Sequence, residues 1–324
     1  MRAVSLLSSA TEWVYALGAG HLLVGRSHEC DEPPEVRELP VCSRPLIDID
    51  ASAAEIDRQV KSRQRDALSI YDVDRDRLRD LRPDAILTQM QCEVCAVTAS
   101  DVERAICTLV DRPARIVSLS PNTLDEVWES ARDVGRVLQC EAAAECVIAD
   151  SIARLDRLAA RIAAHREATG SPVQRLLCLE WMDPPMAAGN WMPDLIRYAG
   201  AEPLFGVAGE HSPWLTWSDI AAADPDAIVM LPCGWGLERT RKELGCVTSQ
   251  PEWGRLRAVR EKRVAIADGN RFFNRPGPRL VESAEILAEI AWPGVIHGTT
   301  HRGDGWEWLE SAGTAPLTKS AAHG

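Results

Sequence analysis

One short phrase occurs twice in this chain, about 140 residues apart. Arg82-Pro83-Asp84-Ala85-Ile86-Leu87 returns as Asp224-Pro225-Asp226-Ala227-Ile228-Val229. In both copies a turn dipeptide leads into a short apolar run. The run opens onto a cysteine-containing loop, Thr88-Gln89-Met90-Gln91-Cys92-Glu93-Val94-Cys95 in the first copy and Leu231-Pro232-Cys233-Gly234-Trp235-Gly236 in the second. Repetition at this separation argues for two similar lobes rather than one core. Two lobes imply a cleft, and a cleft implies a ligand.

The 324 residues suffice for one large or two ordinary domains, and 46% hydrophobic with 26% charged residues is an ordinary globular balance. A formal charge of -12 argues against nucleic acid or an anionic membrane as partner, since both require clustered Lys and Arg. No run of about 18 apolar residues is present, so the chain is not expected to be embedded in a membrane. Met1-Arg2 leads directly into Ala3-Val4-Ser5-Leu6-Leu7 and then the polar Ser8-Ser9, too short an apolar stretch for a secretory signal. The expected location is therefore cytoplasmic, or periplasmic if the true start lies upstream. Ten cysteines fit free thiols in a reducing compartment.

Residues 3–7 read as a buried strand, and Ser8, Ser9 and Thr11 offer N-cap oxygens to a short helix at 12–17 that Gly18 stops. A strand at 21–25 empties into the polar loop from Arg26 to Pro34. Helices at 52–65 and 74–81, a strand at 84–88, a helix near 100–110 and a strand at 114–119 complete a first α/β unit. From Thr123 to about His165 apolar residues fall at helical spacing, and a helix of about 27 residues starting at 141 would run about 40 Å. That length suits a rigid spacer, ended by Gly170-Ser171-Pro172. The second unit predicts strands at 174–181, near 204, at 227–231 and at 263–267, with helices at 192–199, 217–223, 237–244 and 278–291. The expected division is an N-terminal lobe at 1–120, a helical linker at 121–169, a C-terminal lobe at 170–295 and a mostly mobile tail at 296–324.

Cys92-Glu93-Val94-Cys95 has the spacing of a redox or zinc half-site, and His28-Glu29-Cys30 supplies further ligands if the two loops meet. Three readings stay open: a plain cleft-lining loop, metal coordination through His28, Cys92 and Cys95, and thiol chemistry at a CxxC that follows a strand. Eleven tryptophans stand against three tyrosines and three phenylalanines. Trp181, Trp191, Trp214, Trp217 and Trp235 all fall in the second unit, where planar side chains at a cleft mouth would bury a large flat ligand. The loop from Asp268 to Arg279 follows the last strand, and Asn270, Asn274, Phe272 and Phe273 are candidates to project into the cleft. No G-x-S-x-G elbow, no phosphate loop and no dinucleotide fingerprint is present.

In order, five of these pieces resemble the cobalamin and ferric-siderophore substrate-binding proteins of ABC importers. They are Val4-Ser5-Leu6-Leu7-Ser8-Ser9-Ala10-Thr11-Glu12, Val24-Gly25-Arg26-Ser27-His28 through Pro33-Pro34, Leu81-Arg82-Pro83-Asp84-Ala85-Ile86-Leu87, Asp183-Pro184-Pro185 with Gly189, and Asn274-Arg275-Pro276-Gly277-Pro278-Arg279. The resemblance covers about residues 3–292. It implies the class III binding-protein fold: two Rossmann-like α/β lobes joined by one long helix, with the ligand in the cleft between them. It is nearest to the corrinoid binders at Pro184-Pro185 and in the final loop.

Carried over by position, His28 and Glu29 belong to the first cleft loop, and Gln89, Gln91 and Cys92 to the second. Trp181 and Trp191 begin the far wall, joined by Trp217 and Trp235, and Asn270, Phe272 and Phe273 form the last loop. His28 is a further candidate to coordinate cobalt. The implied function is non-enzymatic: a binding protein for cobalamin or a related corrinoid, for transport or intracellular handling, with no required cofactor and with an importer permease as a possible partner. One alternative is a ferric chelate or haem as ligand, favoured if Arg26, Arg271 and Arg275 point inward. Another is a cytoplasmic enzyme using the Cys92/Cys95 loop.

Overall fold

The computed structural model describes residues 1–65, 71–89, 114–296 and 300–309. The helix expected near 100–110, and Gln91, Cys92 and Cys95, lie outside the described residues.

Two sheets form. In the first, β2 (Leu23–Arg26), β1 (Ala3–Ser5), β5 (Ala85–Thr88) and β6 (Arg115–Ser118) lie side by side in that order, all parallel. In the second, the order is β12 (Trp306–Trp308), β11 (Val264–Ala267), β10 (Ala227–Met230), β7 (Gln174–Met182) and β8 (Pro185–Ala187), with β9 (Ala201–Pro203) also on β7. β9, β7, β10 and β11 are parallel, whereas β8 and β12 run antiparallel. β5 and β10 are buried at every position, which is why both read as continuous apolar runs.

The repeated phrase does the same work in each sheet. Helix α3 (Arg75–Leu81) ends on Arg82 at φ 47°, and helix α7 (Trp217–Ala223) ends on Asp224 at φ 42°, both left-handed caps. The aspartate that follows the proline then pins the neighbouring strand: Asp84 Oδ2 accepts from the Arg2 amide at 2.9 Å, and Asp226 Oδ2 from the Arg175 amide at 2.7 Å.

Helix α1 spans Ser8–Ala16, so Ser8, Ser9 and Thr11 lie inside it rather than capping it. β1 ends at Ser5, and the Thr11 hydroxyl turns inward to Cys30 Sγ at 3.0 Å. Helix α4 (Leu124–Leu138) opens with a Thr123/Glu126 capping box and stops at Gln139, φ 61°. Helix α5 (Glu141–Thr169) then runs 29 residues, about 43 Å at ~1.5 Å per residue. It is no bare strut. Leu155 and Ile162 are buried in an apolar cluster that also holds Trp13 and Leu87 from the first sheet's side and Leu176, Val229 and Phe273 from the second's. A core shared across both units limits how far they can move apart. Among the described residues, no helix is long and apolar enough to cross a membrane.

Two features depart from the expected division. Residues 300–309 are packed rather than loose: β12 extends the second sheet, and Trp306, 3% exposed, donates from Nε1 to Glu289 Oε2 at 2.6 Å. The edge of β11 and the Glu289 carboxylate supply partners that the composition of the segment does not reveal. Second, β3 (Ser43–Pro45) and β4 (Tyr71–Val73) pair as a hairpin, and helix α2 (Ala53–Arg65) lies between them in sequence. Ala53 and Ile56 of α2 are buried in the apolar cluster of the second sheet, with Leu177, Trp181 and Trp235. Part of the N-terminal segment therefore packs on the opposite lobe.

Candidate functional site

The loops that leave the C-terminal ends of the parallel strands meet between the two sheets, the usual place for a ligand in open α/β architecture. The loop after β2 meets the loop after β11 at Arg275. This guanidinium, 6% exposed, donates to Glu12 at 3.2 Å, to Asp31 at 2.6 Å, to the Glu29 carbonyl at 3.3 Å and to Asn270 Oδ1 at 3.0 Å. Arg279 completes the cluster through Glu12, and Trp13 Nε1 donates to the Pro276 carbonyl at 3.2 Å. This cluster fastens the base of the cleft.

On the first-lobe wall, His28 and Glu29 are half-buried and share their surroundings with Tyr71 of β4 and Ser43 of β3. His28 Nδ1 lies 2.8 Å from Ser43 Oγ, its ring is 5.2 Å from the Tyr71 ring, and the Tyr71 hydroxyl donates to Glu29 Oε1 at 2.8 Å. Burial pulls the imidazole below its ordinary pKa, with Glu29 opposing and Arg26 assisting. Gln89 is exposed at the end of β5.

On the second-lobe side, β7 delivers Glu180 and β10 delivers Cys233. Ser212 Oγ donates to Glu180 Oε2 at 2.8 Å, and burial pushes this carboxyl above its usual range. Cys233 is exposed to solvent, yet the protein around it pushes its thiol up to about 12, with Glu180 and Glu29 adding to the rise and Arg275 opposing it. The thiol thus senses charges carried by loops of both lobes, Glu29 from the first and Arg275 from the second. Gly269 allows the last loop to close over β10: a Cβ there would sit 2.2 Å from the Pro232 carbonyl oxygen. An open cavity of about 480 Å³, lined by Arg161, His165, Arg263 and Trp292, lies at the opposite strand ends and is not part of this site.

Several residues expected to line the cleft do other work. Phe272 and Phe273 are 3% and 0% exposed, because the turn at Gly269–Phe273 aims both rings into the core; Asn270 is the member of that loop at the cleft. Trp191 supports the same loop from behind, donating from Nε1 to the Phe273 carbonyl at 3.1 Å. Trp181 and Trp235, 8% and 5% exposed, contact each other with ring centroids 5.1 Å apart and belong to the apolar cluster that also holds Ala53 and Ile56 of α2. Trp217 packs edge-on against Trp253 at 6.1 Å. The sequence reading passed over Tyr71, Ser43 and Glu180, which carry no motif and become site residues only through pairing partners distant in the chain. Among the described residues, no three His, Cys, Asp or Glu side chains gather as a metal site. The Cys92/Cys95 part of that expectation lies outside the described residues.

None of the three arginines that would favour a ferric chelate is an uncommitted cation in the cleft. Arg26 donates to the Ser27 and Cys30 carbonyls at 3.1 Å, Arg271 pairs with Asp304 at 2.8 Å, and Arg275 is held by Glu12 and Asp31.

The fold is that of known binding proteins. A periplasmic heme binding protein from Pseudomonas aeruginosa superposes with a TM-score of 0.70 at 22% identity, over 96% of this chain and 98% of that one. A possible iron-binding, periplasmic solute-binding protein from Staphylococcus epidermidis gives 0.66 at 20% identity, over 90% and 98%. A periplasmic vitamin B12 binding protein of Vibrio cholerae gives 0.61 at 19% identity, over 90% and 96%. No curated protein matches the chain. The model of the family described as periplasmic binding protein matches residues 4–270. That description lends no support to a cytoplasmic location and agrees with the periplasmic alternative. The enzyme reading of the Cys92/Cys95 loop falls with it. The chain belongs to the periplasmic binding protein family, whose members are substrate-binding proteins and not enzymes.

Proposed function

We propose that the chain binds cobalamin or a related corrinoid between its lobes, in the periplasm for delivery to an ABC importer permease. The observation that carries this reading is that the three arginines expected to meet an anionic ligand are already engaged: Arg26 by the Ser27 and Cys30 carbonyls, Arg271 by Asp304, and Arg275 by Glu12 and Asp31. Ferric siderophores and the propionates of haem need cationic partners. A corrin carries amides around its rim and needs hydrogen-bonding groups and flat apolar surface instead. His28 fits a second role, since burial disfavours its protonated form, its Nδ1 is held by Ser43, and Nε2 is the nitrogen left to meet cobalt.

The test is a titration of the reduced protein with hydroxocobalamin, followed by tryptophan fluorescence and the visible corrin bands, with hemin and a ferric siderophore in parallel. Saturable quenching at micromolar or tighter affinity is expected for the corrinoid only. A band shift that His28→Ala removes while quenching persists identifies axial coordination. Preferential binding of hemin or the siderophore would overturn the corrinoid reading.

A further inference from the structure

We propose that the open cavity at the far end of the second lobe binds a small oxyanion, a carboxylate or a phosphate, held by Arg161, His165 and Arg263. The site is separate from the cleft and does not depend on which ligand the cleft takes.

The cavity holds about 480 Å³, within the range of small-molecule sites. The last turns of α5, the start of β7, the residue before β11 and the end of the last helix, Leu280–Ala291, surround it. Arg161 and His165 lie one turn apart on α5 and so share a face. Trp292, 5% exposed, is a fixed wall: its Nε1 donates to the Ala199 carbonyl at 2.9 Å, and the His165 ring and the Arg166 guanidinium lie 6.1 and 5.9 Å from its ring centroid. Ser171 and Gln174 add a hydroxyl and an amide to the lining.

Charge selects the ligand class. In a chain with 48 acidic residues against 36 Lys and Arg, cations without counter-charges are not expected to gather. Yet, among the described residues, no aspartate or glutamate lines the cavity, and none forms an ion pair with Arg161, His165 or Arg263. The acids whose charge reaches Arg263, Asp226 and Glu261, line an adjoining hollow, and Asp226 is already committed to Arg257 and to the Arg175 amide. Burial pulls the Arg263 guanidinium below its ordinary pKa, and those two acids do not restore it. Burial acts on Arg275 as well, but there the contacts with Asp31 and Glu12 raise the pKa. Arg263 is thus a partly buried charge that the fold does not fully compensate. Its Nη2 donates to the Ile290 and Ala291 carbonyls at 3.1 and 2.9 Å, which fixes the group in place, and its Nε is buried without a partner. A guanidinium fixed in advance loses little freedom on meeting an oxyanion, whose geometry its planar fork matches.

The test is isothermal calorimetry at low salt with inorganic phosphate and, separately, with succinate, on the wild type, Arg161→Gln and Arg263→Gln, with circular dichroism to confirm folding. At least one anion is expected to bind the wild type with a dissociation constant of about 1 mM or tighter, and each substitution to weaken it about tenfold or more through loss of a charge-assisted hydrogen bond. The anion that binds tells phosphate from carboxylate. Arg161 is exposed, so Arg161→Gln serves if Arg263→Gln, which frees the carbonyls at the end of the last helix, does not fold. In NMR spectra of the wild type the His165 imidazole signal, assigned through His165→Gln, is expected to move with bound anion while that of His28 stays. No binding of either anion at millimolar concentration, equal affinity in all folded proteins, or a shift at His28 without one at His165 would overturn the site.

Discussion

Glu12→Gln removes the charge at the centre of the cluster that joins the lobes. Glu12 is 5% exposed and Arg275 6%. The carboxylate accepts from Arg275 at 3.2 Å and from Arg279 at 2.5 and 3.0 Å. Breaking one side of a buried ion pair costs about 3–5 kcal/mol, mostly because the opposite charge is left uncompensated. Here Arg275 keeps Asp31 at 2.6 Å and Arg279 keeps Glu32 at 4.0 Å, which places the cost near the low end, about 3 kcal/mol. With an unfolding entropy of ~2.1 cal/mol/K per residue, this chain loses roughly 4–5 °C of Tm. The assay is thermal unfolding by circular dichroism, with urea unfolding to confirm an unchanged m-value. A double-mutant cycle with Arg275→Met is expected to show a coupling of about 1–3 kcal/mol. A Tm drop below about 1 °C, or strict additivity in the cycle, would refute the claim that this pair holds the base of the cleft.

Gly269→Ala drives a Cβ to 2.2 Å from the Pro232 carbonyl oxygen and 2.4 Å from that of Leu231; because both obstacles are backbone, the loop must shift at about 1–3 kcal/mol, lowering both Tm and ligand affinity through displacement of Asn270. Unfolding curves and the hydroxocobalamin titration check both. His301 donates to Glu285, and that hydrogen bond, with Glu289 and Glu282 nearby, raises its pKa above the ordinary value. A raised pKa on folding stabilises below the unfolded value of about 6.5 and loses that contribution as pH rises through the folded one. His301→Gln is therefore expected to lower Tm at pH 5.5 and leave it nearly unchanged at pH 9; equal shifts at both would contradict the assignment.

The features legible in the sequence are those that depend on near neighbours. The duplicated Asp-bearing turn announced two sheets because each copy must stop a helix and start a buried strand within six residues. The span of α5 followed from unbroken helical spacing up to Gly170, which takes the left-handed cap at φ 66°. The cleft loops carrying His28, Glu29 and Asn270 could be named because they follow predicted strands.

What required the tertiary structure was every choice between two faces of a loop and every partnership across the chain. Phe272 and Phe273 differ from Asn270 only in which way one turn points them. Arg275 reads as a candidate anion contact until Glu12, 263 residues away, is found to neutralise it. Residues 306–308 have the composition of a tail until the open edge of β11 pairs with them. The stripe of Ala53, Ile56 and Val60 declares that α2 must bury one face, but not which lobe receives it. Periodicity records that a side chain is to be buried; only the assembled chain supplies the surface that buries it.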